Sequence, residues 1–237
     1  MQQTHEKRRI SIFSGPPGIG KTSAIDRFQA ENDGMVAVVK ISNKNTTDRV
    51  AYQHMMGAFD RMRECESYGA VPDSYSVKNK LCREMAAWGC RDKDWTPPLT
   101  FVFDEAQNLS RHAVDALRYW NDPDRCYGPF PIGVIFIGND EFALRAGRSG
   151  ESVISAAVAD RVLYQETFSY ASVKDSDLAM FLESRGIVEP NAVQAMLRRY
   201  RAGRVRSFRK MSDDIDELKR EADGEPVTLA TFHAVFS

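Results

Sequence analysis

Arg9-Ile10-Ser11-Ile12-Phe13-Ser14-Gly15-Pro16-Pro17-Gly18-Ile19-Gly20-Lys21-Thr22 is the stretch that decides the fold. Arg9 to Phe13 is a short apolar run of the kind that forms a strand buried on both faces, and it runs straight into a glycine loop. Gly15, Gly20, Lys21 and Thr22 match the spacing G-x-x-x-x-G-K-[ST]. Glycines let the backbone fold tightly, so that successive N–H groups point at phosphate oxygens. A helix beginning near Lys21 adds its positive N-terminal end. Gly15, Pro16, Pro17, Gly18, Ile19, Gly20, Lys21, Thr22 and Ser23 are therefore the expected nucleotide cradle. Lys21 is expected at the β- and γ-phosphates of ATP, and Thr22 at Mg²⁺. The bland alternative is a chance match in a loop, but a strand before it and a helix after it argue against that.

Four further runs read as strands. Met35 to Ile41 is rich in valine and isoleucine, Leu99 to Phe103 ends at Asp104, and Ile132 to Ile137 ends at Gly138-Asn139-Asp140. Arg161 to Glu166 is a shorter fifth candidate. Helical patterns sit between them, with Val50, Tyr52, Met55, Met56, Phe59 and Met62 on one face and Ala113, Leu117 and Trp120 on another. Strands alternating with helices predict an α/β fold with a parallel sheet covered on both sides. From about residue 170 the strand signals stop. Asp175 to Glu183, with Ser or Asp as cap, reads as a helix, and others follow from Pro190, through Val205 to Leu218, and after Thr228. The expected organisation is a nucleotide-binding α/β domain over 1–170 and a small helical lid over 171–237.

Asp104 and Glu105 end an apolar strand, where a carboxylate is costly unless something positive holds it. Mg²⁺ is the expected holder for Asp104, which places Glu105 to polarise an attacking water as general base. In a parallel sheet the strand C-termini gather on the edge where ligands bind. Asn139 would then sit beside Asp104 and orient the water. The plainer readings are a solvent-facing acid pair and an ordinary Asn-Asp turn.

The whole chain bounds these readings. Its 237 residues carry a formal net charge of −1, so no global basic field points to nucleic acid. Cys65, Cys82, Cys90 and Cys126 form no C-x-x-C pair, which argues against zinc and for a reduced, cytoplasmic compartment. Met1 to Arg9 has no apolar leader core, and no apolar run approaches a membrane span. His5, His54, His112 and His233 lack ligand spacing, and no serine has a G-x-S-x-G setting.

Taken together, the loop, the Asp-Glu strand end, the strand-end asparagine and the following helices resemble the AAA+ family. The resemblance covers nearly the whole chain. It implies a five-stranded core and homo-oligomers, rings or helical filaments, with ATP at subunit interfaces. It also implies an arginine finger shortly before the last strand. Arg161 fits that place in Ala159-Asp160-Arg161-Val162, with Arg145 and Arg148 competing. The lid arginine of the family corresponds to Arg206 in Gly203-Arg204-Val205-Arg206, with Arg204 in reserve.

More narrowly, Asp104-Glu105-Ala106-Gln107-Asn108-Leu109-Ser110 resembles the DEAQ/DEAH-type branch. That branch includes the target-selecting ATPases of DNA transposition in Mu-like phages. Such proteins bind double-stranded DNA without strong sequence preference, polymerise on it with ATP and deliver it to a transposase. Secretion-associated ATPases share the DEAQ or DEAH form. The phage selectors also carry a helix-turn-helix domain ahead of the ATPase, whereas here the loop begins at Gly15. A lineage without that domain and a trimmed chain are both consistent with this, and a DNA role that depends on it is in question.

The densest basic run, Arg198 to Lys210, is followed at once by Asp213, Asp214, Asp216 and Glu217. Arg209–Asp213 and Lys210–Asp214 have i,i+4 spacing, so half the run is expected to neutralise itself. Better candidates for phosphate tracking are loops at the strand edges, with Lys44 after the second strand and Lys78, Lys80, Arg91 and Lys93 before the third. Scattered surface cations are the equal alternative at each. The leading expectation is a DNA-dependent ATPase switch. Its rivals are a DNA-independent assembly ATPase and a nucleotide-gated module that does not hydrolyse ATP.

Overall fold

The computed structural model describes residues 1–64, 74–89, 99–121, 132–139, 142, 154–204 and 207–236. Five strands appear where the apolar runs predict them: β1 (Ile10–Ser14), β2 (Val36–Lys40), β3 (Thr100–Asp104), β4 (Gly133–Gly138) and β5 (Val162–Thr167). They form one sheet in the order β2-β3-β4-β1-β5, every pairing parallel. The side-chain period of two sends Ile10, Ile12, Phe101, Phe103, Val134 and Phe136 to one face. Val102, Ile135 and Ile137 go to the other, against Ile25 and Phe28 of α2 (Lys21–Glu31). Phe103 and Phe136 stack across β3 and β4 with ring centres 5.4 Å apart. The edge strand β5 is largely exposed.

On the first face lie α3 (Asp48–Met62), α4 (Ser74–Gly89) and α5 (Arg111–Leu117). Sequence reading missed α4, although Val77, Leu81 and Met85 recur every four residues and are buried. Its neighbour α3 is tied to it through Arg63, which bonds Asp60 at 2.8 Å and Glu84 at 3.1 Å. A second missed helix, α1 (Gln2–Lys7), covers the start of the sheet and buries Thr4 and His5. It has no apolar periodicity, and polar pairing holds it instead. The helix expected through Trp120 is α-helical only as far as Leu117 and tightens to 3₁₀ over Arg118–Asn121. A short α6 (Ala156–Ala159) precedes β5.

Contacts divide the described chain into two compact units, 1–15 with 21–167 and 16–20 with 168–237. The second holds α7 (Asp175–Ser184), α8 (Pro190–Arg201), α9 (Phe208–Glu221) and α10 (Leu229–Phe236) around Leu178, Leu182, Met196, Met211, Ile215 and Leu218. The cap of α7 is Lys174 rather than Ser or Asp, with Asp177 Oδ2 accepting the Lys174 N–H at 3.0 Å. Glu189 caps α8 ahead of Pro190, whose missing N–H costs nothing at the first helical position. The helix expected from Val205 begins at Phe208, where the Ser207 hydroxyl accepts the Lys210 N–H. Among the described residues no helix is long and apolar enough to cross a membrane.

Candidate active site

The C-terminal edge of the sheet collects the chemistry within the first unit. In register, Asp104 at the end of β3 lies between Lys40 of β2 and Ile137 of β4. Ser14 at the end of β1 lies between Gly138 and Thr167. The ladder continues past β1 by one bond, from the Gly15 N–H to the Gly138 carbonyl at 3.2 Å. Asn139, just beyond β4, is therefore placed between the Asp104 strand and the β1 strand that feeds the glycine loop. Lys21 opens α2 and donates from Nζ to the Gly15 carbonyl at 2.7 Å. Thr22 and Ser23 in the same first turn are exposed, and no acidic side chain occupies that turn.

Asp104 is only 8% exposed. Burial pushes its carboxyl above the ordinary range, and the Glu105 N–H, bonded to Oδ1 at 3.0 Å, pulls the other way. The Glu105 charge adds to the rise, and Lys40 and Lys21 oppose it. Among the described residues no ion pair holds Asp104 within salt-bridge distance. A desolvated carboxylate with an unmet demand for positive charge fits a divalent cation. Asp104 and Thr22 are the residues that would hold Mg²⁺, which when bound would neutralise phosphate charge.

Glu105 stands at φ 58°, the left-handed region, and starts the 3₁₀ turn Ala106–Asn108. Such backbone is uncommon outside glycine and clusters at functional turns. Gln107 of that turn donates from Nε2 to Glu105 Oε2 and accepts the Asn139 N–H on Oε1 at 3.1 Å. One amide thus bridges Glu105 and Asn139. Sequence reading saw Gln107 only as a motif letter.

Within the second unit, Pro16 to Gly20 are held by the helical segment. Tyr170 donates its hydroxyl to the Pro17 carbonyl at 2.8 Å, and the Phe208 N–H bonds the Gly18 carbonyl at 2.9 Å. Ile19 packs against the helical core. Gly18 and Gly20 have φ of 75° and 94°, and a Cβ on Gly18 would meet the Ser207 Cβ at 2.7 Å. The loop needs glycine there for both conformation and space.

The remaining expected residues are scattered. Arg161 precedes β5 at the start of the sheet, since Val162 pairs with Ile10 while Thr167 pairs with Ser14. It lies a full strand length, roughly 15 Å, from the edge that carries Asp104 and Lys21. Its Nη1 bonds the Ala157 carbonyl at 3.2 Å. Arg145, Arg148, Arg206, Arg91 and Lys93 lie outside the described residues. Lys44 is exposed in the loop after β2. Lys78 and Lys80 correct the expectation of a loop, because both sit on α4, where the Lys78 ammonium stands 3.1 Å from the Tyr119 ring centre. In the basic run Lys210 pairs with Asp214 at 3.2 Å, but Arg209 and Asp213 do not pair. Arg199 takes Asp214 from the other side at 2.9 Å, and Arg201 pairs with Asp175.

The model of the family described as AAA domain matches residues 4–145. The chain belongs to that family, whose members in general bind nucleotide and hydrolyse ATP. No curated protein matches the chain. Among solved structures it is similar to the Aeropyrum pernix ORC2 protein in its ADPNP-ADP complexes, at 16% identity and a TM-score of 0.60 over 96% of this chain. A chain of the E. coli HORMA:CdnC:Trip13 complex gives 16% identity and 0.57 over 96% of this chain and 74% of that one. The Thermotoga maritima RuvB Holliday junction branch migration motor gives 12% identity and 0.51 over 99% of this chain and 68% of that one. At these identities the likeness is one of fold. This chain spans 62% of the ORC2 chain.

Proposed function

We propose that this chain is an ATP-dependent DNA-binding ATPase that polymerises on double-stranded DNA and targets or activates a transposase. In this reading residues 1–170 bind nucleotide and residues 171–237 act as the lid. The observation that carries the switch is the convergence of Lys21, Asp104, Glu105 and Asn139 on one sheet edge, with Asp104 desolvated and, among the described residues, without an ion pair. Glu105 takes a proton from water as the water oxygen bonds the γ-phosphorus. The bond from that phosphorus to the bridging oxygen breaks, and the electron pair leaves with ADP. The cradle Gly15, Pro16, Pro17, Gly18, Ile19, Gly20, Lys21, Thr22 and Ser23 binds the phosphates, and Arg206 is the nucleotide-binding arginine that the family resemblance assigns to residues 171–237. Arg161 stands at the opposite end of the sheet from its own site, so it serves a neighbouring subunit, which makes the active form a homo-oligomer.

The DNA part rests on less. Lys44 is exposed on an edge loop, and one fold neighbour, RuvB, is a Holliday junction branch migration motor. The transposase part rests on the DEAQ resemblance alone. The test is electron microscopy with ATP, with and without duplex DNA, beside turnover assays on wild type and Glu105→Gln. Filaments that need both ATP and duplex, and that Glu105→Gln makes persistent, are the expected result. No DNA binding at low salt with ATP would overturn it and leave a DNA-independent assembly ATPase.

A further inference from the structure

Glu105 has a geometric problem. Its backbone is left-handed, so its side chain leaves the strand end in a direction that the pleat of β3 does not fix. A carboxylate on two flexible carbons then needs a second anchor if it is to meet one water in one place. Among the described residues there is a single anchor. Gln107 Nε2 donates to Glu105 Oε2, and the other carboxylate oxygen has no protein partner among the described residues. The same Gln107 side chain accepts the Asn139 N–H at 3.1 Å. Gly138 keeps the space open, since a Cβ there would stand 3.0 Å from Gln107 Oε1 and 2.8 Å from the Phe142 Cβ.

We propose that Gln107 is a positioning residue, whose amide sets the Glu105 carboxylate and the Asn139 main chain at a fixed distance across β3 and β4. The inference rests on the hydrolytic reading of Glu105. Its chemistry demands a side chain with one donor and one acceptor, about as long as glutamine. Glutamate lacks the donor and would place a like charge against Glu105. Methionine keeps the length and loses both bonds. Neutral histidine keeps one donor and one acceptor.

The first readout needs no ligand. In Gln107→Met the Asn139 amide loses its acceptor, and its hydrogen exchange is expected to rise at least tenfold while the unfolding midpoint stays within a few degrees. The second readout is kinetic. Gln107→Met is expected to lower kcat by about ten- to a hundredfold, as small misplacements of a reacting group do. KM and the Kd of a fluorescent ATP analogue should stay within about twofold. Gln107→His should recover most of kcat, and Gln107→Glu should be the slowest. In the Glu105→Gln background, Gln107→Met should change kcat no further, because it acts only through Glu105.

Unchanged or faster turnover in Gln107→Met overturns the proposal. So does a loss that appears in KM and Kd instead of kcat, or a loss that adds fully to that of Glu105→Gln. If Glu105→Gln itself turns over as wild type, the hydrolytic reading has failed first, and the Asn139 exchange result still decides whether the bridge exists.

Discussion

The two ends of β3 treat polar groups in opposite ways. At Thr100 the hydroxyl meets His5 Nδ1 at 2.8 Å, and nearby the Thr4 and Ser11 hydroxyls lie 2.7 Å apart. All four side chains are buried, and each is satisfied by another neutral group. At Asp104, four residues along, a carboxylate is nearly as buried, yet among the described residues its only close donor is a backbone N–H. Burying a charge without a partner costs far more than burying a paired hydroxyl. A fold under no other demand would place the paired set at both ends. The contrast supports the proposed site: the end whose polar groups pair with one another needs nothing further, and the end with the desolvated carboxylate is the one a cation would stabilise.

The sharpest break of that comparison is Asp104→Asn. Turnover is expected to fall on the order of a thousandfold, because the residue that would hold the divalent cation loses its charge. The ligand-free protein should become more stable at neutral pH. The sign follows from the raised carboxyl. A native pKa above the unfolded one means that the native state holds its proton where the unfolded state has lost it. Stability therefore declines as pH rises from the unfolded value through the native one, and a neutral side chain removes the decline. Calorimetry beside a phosphate-release assay checks both. A lower midpoint in Asp104→Asn would mean that the protein already satisfies this carboxylate.

A third acid sharpens the point. Asp60 is 1% exposed, more buried than Asp104, but Arg63 holds it at 2.8 Å. Arg63→Ala strands that charge, and removing one partner of a buried pair costs about 3–5 kcal/mol. The loss should appear in denaturant midpoints, with ATP turnover at a permissive temperature little changed. A smaller structural loss is expected from Thr100→Val, which orphans His5 Nδ1 at a cost of about 1–3 kcal/mol and should leave kcat alone. A fall in kcat would show that the two ends of β3 are coupled.

The same contrast explains what was legible in the sequence. Four of the five strands were readable because each is an apolar run long enough to cross the sheet. The exposed edge strand β5 carries only Val162, Leu163 and Tyr164 of that signal, and the glycine loop was readable because its spacing leaves few other uses. Asp104 was readable because a charge at the end of such a run is anomalous by itself. Polar pairing was not. Nothing local announces that Thr4, His5, Ser11 and Thr100 meet, because the bond from His5 to Thr100 spans 95 positions. The helix α1 was lost with it. The helix α4 did carry a signal in Val77, Leu81 and Met85, hidden among Lys78, Lys80 and Arg83, and reading those lysines as loop cations followed from missing it. Gln107 was visible as a motif letter, but its second bond reaches Asn139 only because β3 and β4 are neighbours.

The smallest effect expected is also the one that separates the two ends by sign. Burial lowers the His5 pKa from its ordinary value, with Glu6 opposing and Arg8 adding to the fall. The groups that face it include the Thr100 hydroxyl and the Phe28 ring in a T-shaped contact, and both are uncharged. Above the unfolded value of 6.5 both states are neutral and His5 contributes no slope. As pH falls below it, the unfolded chain takes a proton that the native state refuses, so stability drops until the lowered native pKa is reached. Asp104 gives the opposite slope, beginning at its own unfolded value of 3.8 and running upward. The two slopes are opposite in sign, so the wild-type curve reports their sum. The difference between wild type and His5→Asn isolates one of them. It should be constant above pH 6.5 and shift in favour of the variant below it. A difference that stays constant at all pH values would mean that His5 accepts its proton in place, and that the structural end of β3 is less closed than its hydrogen bonds imply.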